Sequence, residues 1–532
     1  MSGARARVPR LAVAALAVAA VSDCGRVDPD TGPSDVQPLP SGPALQAALD
    51  LARTLTGGTG VSAAVVVEGK GRWAGASGSS DPETPLHAKM LFDIGSVGKN
   101  LVAALVLQLA EEDRLDLDDP VGQWLPPYQN VDEDITIRQL LGHTSGVFDF
   151  VEHPRSPFRV PFDSIAFDEA TSPEATLRDL VGEPYFPPGT GWHYSTTNYL
   201  LLRLIVEEAT GSTVRAEIQE RFLRPLALGR TVVMDEERVS LEGHEAARPW
   251  FDADADGDLD DISSRGRAWM AGRSPAMIFA SADDLARWTR ALYGGQVLGK
   301  ASLDEMLRFR RPSPGEPYSG YGLGTGELRF GGREIWGHLG WQYGYTAAML
   351  HLPARETSIG LLINDNNMTC IGVAFVGLWT VVEYQAAPTV FAVAGVVAML
   401  ALSPLVAGLG GLLRRRRVSR QPTTRDGGWA GRRAKLLAVA FAGTFLAVNG
   451  LYLLQSVDPE GPATWECGST GARAMLALAA AGAGLALLLS LSTLVVWREG
   501  RLPSPVRVHL LLVALAAVAT VVYWQRLGLL LP

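Results

Sequence analysis

The sequence predicts an α+β layered domain followed by a helical membrane region, and three observations carry the prediction. Strand-like stretches stand at both ends of residues 42–386, with helical periodicity between them. Four long apolar runs follow, each near the ~20 residues that a spanning helix needs. The charge divides along the same boundary. Of the 532 residues and the formal charge of −9, residues 387–532 hold 14 Lys/Arg and 5 Asp/Glu, a net of +9. The remainder carries −18, which argues against a nucleic-acid partner there.

Residues 1–24 read as an export signal. "MSGARARVPR" is basic, "LAVAALAVAAV" is a short apolar core, and Ala17 to Ala19 offer small residues for cleavage. Cys24 resembles the cysteine of a lipoprotein cleavage site, but Asp23 just before it fits that pattern badly. Residues 25–41, rich in Pro, Asp, Gly and Ser, read as a linker. Cys24, Cys370 and Cys467 follow no metal-ligand spacing and form no disulfide framework.

Within residues 42–386, Val61 to Gly78 has β-branched residues and Gly-rich turns, predicting a strand pair. From Ser96, "SVGKNLVAALVLQLAEEDRL" has apolar residues at helical spacing, so Ser96 begins a helix and Lys99 lies one turn on. "SADDLARWTRAL" predicts a helix capped by Ser281, with Asp284 three residues on. "GYTAAMLHL" and "ETSIGLLIN" predict a hairpin around "PARE", and "VGLWTVVEY" a closing helix.

The membrane runs span about 388–413, 436–457, 472–497 and 506–525. The loop after the first holds nine Lys/Arg against Asp426 alone, so it is expected on the cytoplasmic side. The next loop carries Asp458, Glu460 and Glu466, and the one after it Arg498, Arg501 and Arg507. This alternation puts residues 25–386 outside the membrane, in agreement with the export signal. The runs hold few ionisable residues, so anchoring rather than transport is expected.

The stretch "FDIGSVGKN", Phe92 to Asn100, admits two chemistries. A phosphate loop needs G-x-x-x-x-G-K-[ST], but Asp93 stands at the first glycine and Asn100 follows Lys99. That leaves Ser96 and Lys99, three apart, as nucleophile and base. A serine hydroxyl attacks poorly until a base takes its proton, so partners are required downstream. "YFPPGTGWHYSTTNYLLL" and "WGHLGWQYGYT" supply them. With "ITIRQLLGHTSGV", "SPAMIFASADDLARW" and "YGLG", their order resembles the serine β-lactamase family. The likeness is closest to its class C and D-alanyl-D-alanine carboxypeptidase/esterase branch.

The resemblance implies a β-lactamase/transpeptidase-like fold, an antiparallel sheet flanked by helices plus a helical subdomain. It implies Ser96 as acyl-accepting nucleophile, Lys99 as base, Tyr194 as a partner in proton transfer, and His338 with Gly340 as the His-x-Gly form of the Lys-Thr-Gly element. The backbone N–H groups of Ser96 and Trp341 would form the oxyanion hole. Lys99 and Tyr194 are expected to lower each other's pKa, an ammonium favouring a phenolate. Thr196 stands where the family usually has Asn, and His338 where it usually has Lys. Both departures point away from β-lactam turnover and toward amide or ester hydrolysis, on D-Ala-D-Ala-type peptides or small esters. A non-catalytic peptide- or β-lactam-binding module is the alternative. The expected partners are a small-molecule or peptide substrate and the membrane, and no cofactor is required.

"DADADGDLDD" stands apart. Asp252, Asp254 and Asp256 before Gly257 reproduce the first half of a calcium loop, whereas position twelve is Ser263 rather than Glu. A solvated acidic loop and a structural calcium site both remain open on this pattern, and titration with calcium separates them.

Overall fold

The computed structural model describes residues 38–384, apart from 40, 168–170, 236, 255, 266–269, 271, 314–316 and 331–332. The export signal, Cys24 and the four apolar runs lie outside the described residues. Among the described residues no helix is long and apolar enough to cross a membrane.

Helix α1 (Gly42–Thr56) places Leu45, Ala48, Leu49 and Ala52 on one buried stripe. It stops at Gly57, whose φ of 71° suits glycine and whose N–H caps the Arg53 carbonyl. Strands β1 (Gly60–Val67), β2 (Gly71–Asp81) and β3 (Thr84–Pro85) follow, the strand pair expected from the sequence. The chain then leaves this sheet through β4 (Phe92–Asp93) into α2 (Gly98–Glu111). α2 is buried on nearly every side, which is why its sequence is apolar around most of the helix.

The helical half continues with α3 (Val121–Trp124), α4 (Ile137–Leu141), α5 (Pro173–Leu180), α6 (Thr196–Thr210) and α7 (Val214–Ile218). α4 starts on a capping box between Thr136 and Gln139. Strands β5 (Thr231–Met234) and β8 (Met277–Ala280) join β4 in a small sheet of order β4-β8-β5, and β6 (Trp250–Phe251) pairs with β7 (Asp260–Asp261). Helix α8 (Ala282–Tyr293) is capped by Ser281, whose Oγ accepts the Asp284 N–H at 3.2 Å, as the sequence predicts. Helix α9 (Lys300–Met306) follows.

The chain then completes the large sheet with β9 (Gly320–Tyr321), β10 (Gly326–Phe330), β11 (Arg333–Gln342), β12 (Tyr345–Leu352) and β13 (Thr357–Ile363), before α10 (Met368–Tyr384) closes the domain. The order is β3-β2-β1-β13-β12-β11-β10-β9, and its pairings are antiparallel. β1 pairs with β13 from Val61 opposite Ile363 to Val67 opposite Thr357, so the two ends of the domain meet in the centre of the sheet. Every residue of β12 and β13 is buried. Helices cover both sheet faces: α1 and α10 pack on one, α8 and the helical half on the other. This explains why these strands read as continuous apolar runs rather than alternating ones. Burying Leu45 and Leu49 contributes about 1.5–3 kcal/mol each.

Candidate active site

The turn that carries Ser96 is built from both sheets. The Ile94 N–H donates to the Ile278 carbonyl at 3.0 Å, tying the turn to β8. The Asp93 carboxylate accepts the Gly95 N–H at 2.8 Å. A short 3-10 turn, Gly95–Val97, then runs into α2, so Ser96 sits at the helix entrance as the sequence predicts. Two glycines let β11 press against this turn. Gly95 has φ 52°, and a Cβ on it would lie 2.9 Å from the Trp341 nitrogen. A Cβ on Gly340 would lie 2.0 Å from the Ile94 carbonyl oxygen. The backbones that bear the Ser96 and Trp341 N–H groups therefore touch.

Lys99 is 2% exposed, and its Nζ lies 3.0 Å from Ser96 Oγ. Burial lowers its pKa from 10.5 to about 8, while the carboxylate of Asp149 acts in the opposite direction. At pH 7 roughly a tenth of the lysine is neutral and able to accept a proton, several hundred times the fraction in a free lysine. The Tyr194 ring centroid lies 5.0 Å from Lys99 Nζ. Its hydroxyl is buried without a hydrogen bond of normal geometry. Its pKa is raised, by burial first, with the Ser96 hydroxyl opposing that rise. The expectation that lysine and tyrosine lower each other's pKa is not met: burial lowers that of the lysine and raises that of the tyrosine. Burial disfavours a phenolate, and Tyr194 is a neutral phenol.

His338 is buried on β11 with both ring nitrogens engaged. Nδ1 lies 2.6 Å from the Leu339 carbonyl and carries the proton, which leaves Nε2 to accept the Tyr321 hydroxyl at 3.0 Å. Burial lowers its pKa to about 3, so it is a neutral imidazole. Thr196 opens α6, two residues after Tyr194. The next asparagine, Asn198, is buried and committed elsewhere: its Oδ1 accepts the Ser145 hydroxyl at 2.6 Å and its Nδ2 meets His143 Nδ1 at 3.1 Å.

The beta-lactamase family matches residues 50–369, well over half of the chain. The chain belongs to the beta-lactamase family. It is 30% identical over 302 residues to the esterase EstB of Burkholderia gladioli, a match covering 51% of this chain and 74% of the esterase. "Penicillin-binding protein 4*" and "Putative penicillin-binding protein PbpX" of Bacillus subtilis (strain 168) match at 30% identity over 289 residues and 26% over 241, covering 52% and 44% of this chain. The chain spans 61% and 52% of their lengths. Among solved structures, a D-stereospecific amidohydrolase from Streptomyces sp. aligns at 30% identity with a TM-score of 0.55, covering 64% of this chain and 99% of its own. A D-amino acid amidase from Ochrobactrum anthropi SV3 shares the fold, with 23% identity, a TM-score of 0.57 and coverage of 64% of this chain and 99% of its own.

In this beta-lactamase family chain the structure brings Ser96, Lys99, Tyr194, His338, Gly340 and Trp341 together, with Thr196 at the adjoining helix start. Sequence reasoning missed three further residues. Asn100, set aside when the phosphate loop failed, donates to the Gly324 carbonyl and Thr325 Oγ1 at 3.0 Å each and accepts Trp288 Nε1 at 3.0 Å. It locks α2 to the turn before β10 and to α8. Tyr321, within "YGLG", holds His338. Asp149 lies three residues beyond "HTSG" with its carboxyl buried, and burial raises its pKa to about 6. Only its closeness to that motif could have signalled it.

Asp252, Asp254 and Asp256 offer carboxylate oxygens within 4.8 Å of one another, and Asp252 Oδ1 is buried without a partner. The bidentate ligand of a full calcium loop is missing, because Ser263 stands at position twelve with its N–H donating to Asp261. The residues therefore fit a calcium loop only in part. A cavity of about 700 Å³ beside this loop, lined by Phe162, Phe167, Asp254, Asp260 and Arg265, contains none of Ser96, Lys99, Tyr194 and His338.

Proposed function

We propose that this chain is a serine hydrolase that cleaves amides or esters through an acyl-enzyme. The observation that carries the reading is the 3.0 Å contact between a buried, pKa-lowered Lys99 and Ser96. Neutral Lys99 takes the Ser96 proton as Oγ forms a bond to the substrate carbonyl carbon. The oxyanion forms against the Ser96 and Trp341 N–H groups. The protonated lysine, directly or through the Tyr194 hydroxyl, returns the proton to the departing amine or alcohol. Water, deprotonated by the same lysine, then releases the acid. Tyr194 works here as a neutral relay.

A neutral His338 offers no cation to a substrate carboxylate. That favours small esters and uncharged amides over peptides ending in a free carboxylate. The esterase and the D-stereospecific amidohydrolase among the relatives support the same range. Residues 1–24 and the alternating loop charges after residue 387 support an enzyme held on the outer face of the cytoplasmic membrane. Thr196, in place of the family's asparagine, favours a second reading, a binding module that is acylated without turning over.

Comparing hydrolysis of a p-nitrophenyl ester, a D-amino acid amide and a D-Ala-D-Ala peptide tests the proposal. Ester or amide turnover that vanishes in Ser96→Ala supports it. Acylation with no turnover of any of the three substrates would replace it with the binding module.

A further inference from the structure

Tyr194 stands just before α6, and the residues on either side of it are both held by one residue from another part of the chain. His143 begins the "HTSG" stretch and is fully buried. Its carbonyl accepts the His193 N–H at 3.1 Å, and its ring nitrogen Nδ1 accepts the Ser195 N–H at 3.2 Å. Tyr194 is thus bracketed by two hydrogen bonds to a single residue. The His143 ring also lies against the phenol, with centroids 4.4 Å apart and planes at 38°. The same stretch carries the approach to Tyr194. The Gly189 N–H donates to the Thr144 carbonyl and the Tyr185 N–H to the Gly146 carbonyl, each at 2.8 Å.

The start of α6 shows what the imidazole supplies. Ser195 is the N-cap, and its own side chain makes no capping bond. Asn198 is the third helical residue, where a capping side chain would turn back to the N-cap N–H. Here its Oδ1 accepts the Ser145 hydroxyl at 2.6 Å, and its Nδ2 faces His143 Nδ1 at 3.1 Å. Nδ1 therefore serves two donors, and the proton of the neutral ring stands on Nε2. The ring lies among Trp192, Tyr194, Tyr199 and Tyr321, and Nε2 is buried without a hydrogen-bond partner among the described residues. The His143 backbone has φ 58°, in the left-handed region that residues with a Cβ seldom adopt. An unpaired buried donor and a left-handed backbone both act against stability, and such costs collect where a group must be held in place.

We propose that His143 is the positioning residue of Tyr194: its carbonyl and Nδ1 fix the chain on both sides of the tyrosine and so keep the phenol beside Lys99. The Tyr194 ring centroid lies 5.0 Å from Lys99 Nζ, which lies 3.0 Å from Ser96 Oγ, so a displaced phenol changes its place relative to both. His143 acts through Tyr194, and the proposal rests on Tyr194 sharing in proton transfer.

Variants of the full-length chain test it. His143→Gln carries its amide near the place of Nε2 and leaves the Ser195 N–H without its acceptor, so acylation by a fluorophosphonate is expected to slow about 100-fold. His143→Asn keeps an acceptor in the place of Nδ1 and tolerates positive φ, so it is expected to stay within about threefold of the parent. In a Tyr194→Phe background, His143→Gln is expected to add no more than about twofold, because the hydroxyl that it misplaces is gone. Slowing that multiplies in full in that double variant marks a general loosening of the site and overturns the proposal. An Asn variant as slow as the Gln variant does the same.

A second measurement needs no activity. Fluorotyrosine at position 194 reports the phenol by fluorine NMR, and the same label at Tyr345, packed between Phe92 and Phe279, reports the core. The position-194 resonance is expected to be single in the parent and in His143→Asn, and displaced or divided in His143→Gln, with the Tyr345 resonance unmoved. An identical position-194 resonance in His143→Gln overturns the proposal even where Ser96 proves to be the nucleophile. Should Tyr194→Phe acylate like the parent, the part of Tyr194 in proton transfer fails, and the resonances still decide whether His143 holds it. If His143→Gln does not fold, His143→Asn decides alone: slowing beyond about tenfold or a displaced resonance overturns the role of Nδ1.

Discussion

Gly340→Ala tests how the turn carrying Ser96 is held. A Cβ at this position would stand 2.0 Å from the Ile94 oxygen, whereas ordinary contact begins at 3.4 Å. The Ser96 turn and β11 must therefore separate by roughly 1.4 Å. The β11–β12 pairing on one side and the Ile94–Ile278 hydrogen bond on the other resist that movement. A displacement of about 1 Å at a reacting group costs on the order of 10²-fold in rate. Acylation of Ser96 by a fluorescent penicillin or fluorophosphonate, followed by intact mass, should slow by about that factor. Overpacking should also cost about 1–3 kcal/mol of stability, read by urea unfolding. Gly372→Ala is the control, because nothing lies within 4 Å of a Cβ there and the residue is inside α10. It should leave acylation unchanged and gain about 0.5–1 kcal/mol. If Gly340→Ala acylates within a factor of three of the parent, the contact between turn and strand does not shape the site.

Three further outcomes follow from the same structure. Lys99→Arg keeps a cation but cannot become neutral, so acylation should fall at least about 100-fold; in the parent, the rate should fall about tenfold per pH unit below pH 8, and a flat profile from pH 6 to 8 contradicts Lys99 as base. Asn100→Ala strands the Trp288 N–H and removes the donor to the Gly324 carbonyl and the Thr325 hydroxyl, a loss of about 2–4 kcal/mol by urea unfolding, and a loss below 1 kcal/mol rejects the bracing role. His338 and His351 have folded pKa values lowered from 6.5 to about 3 and about 4, so the unfolded chain binds protons first as pH falls below 6.5. Stability should drop between pH 6.5 and 5 by about 2 kcal/mol for each histidine, and His351→Gln should remove one share; Asp149 contributes with the opposite sign over part of this range.

Local signals made much of the fold legible. The cap at Ser281, the hairpin around "PARE" and the helix entered at Ser96 each depend on residues adjacent in sequence, and the structure shows all three. The grouping at the candidate site was legible where a motif carried it: Ser96 with Lys99, Tyr194 in "HYST", and His338 with Gly340. What the sequence could not show depends on distant partners. Asn100 acts through Trp288 and Thr325, far along the chain, and nothing local distinguishes it from a solvated asparagine. The charge state of Tyr194 depends on how completely it is buried, and burial is set by the whole aromatic cluster around it. Asp149 shares the second feature, since its pKa is governed by burial.

The central claim is that Ser96 is acylated. Intact-mass and peptide-mapping measurement of the full-length chain after exposure to a fluorescent penicillin or fluorophosphonate tests it directly. One adduct is expected on the peptide containing Ser96, and none in Ser96→Ala. An adduct of equal yield in Ser96→Ala, or one mapped to another residue, contradicts the claim.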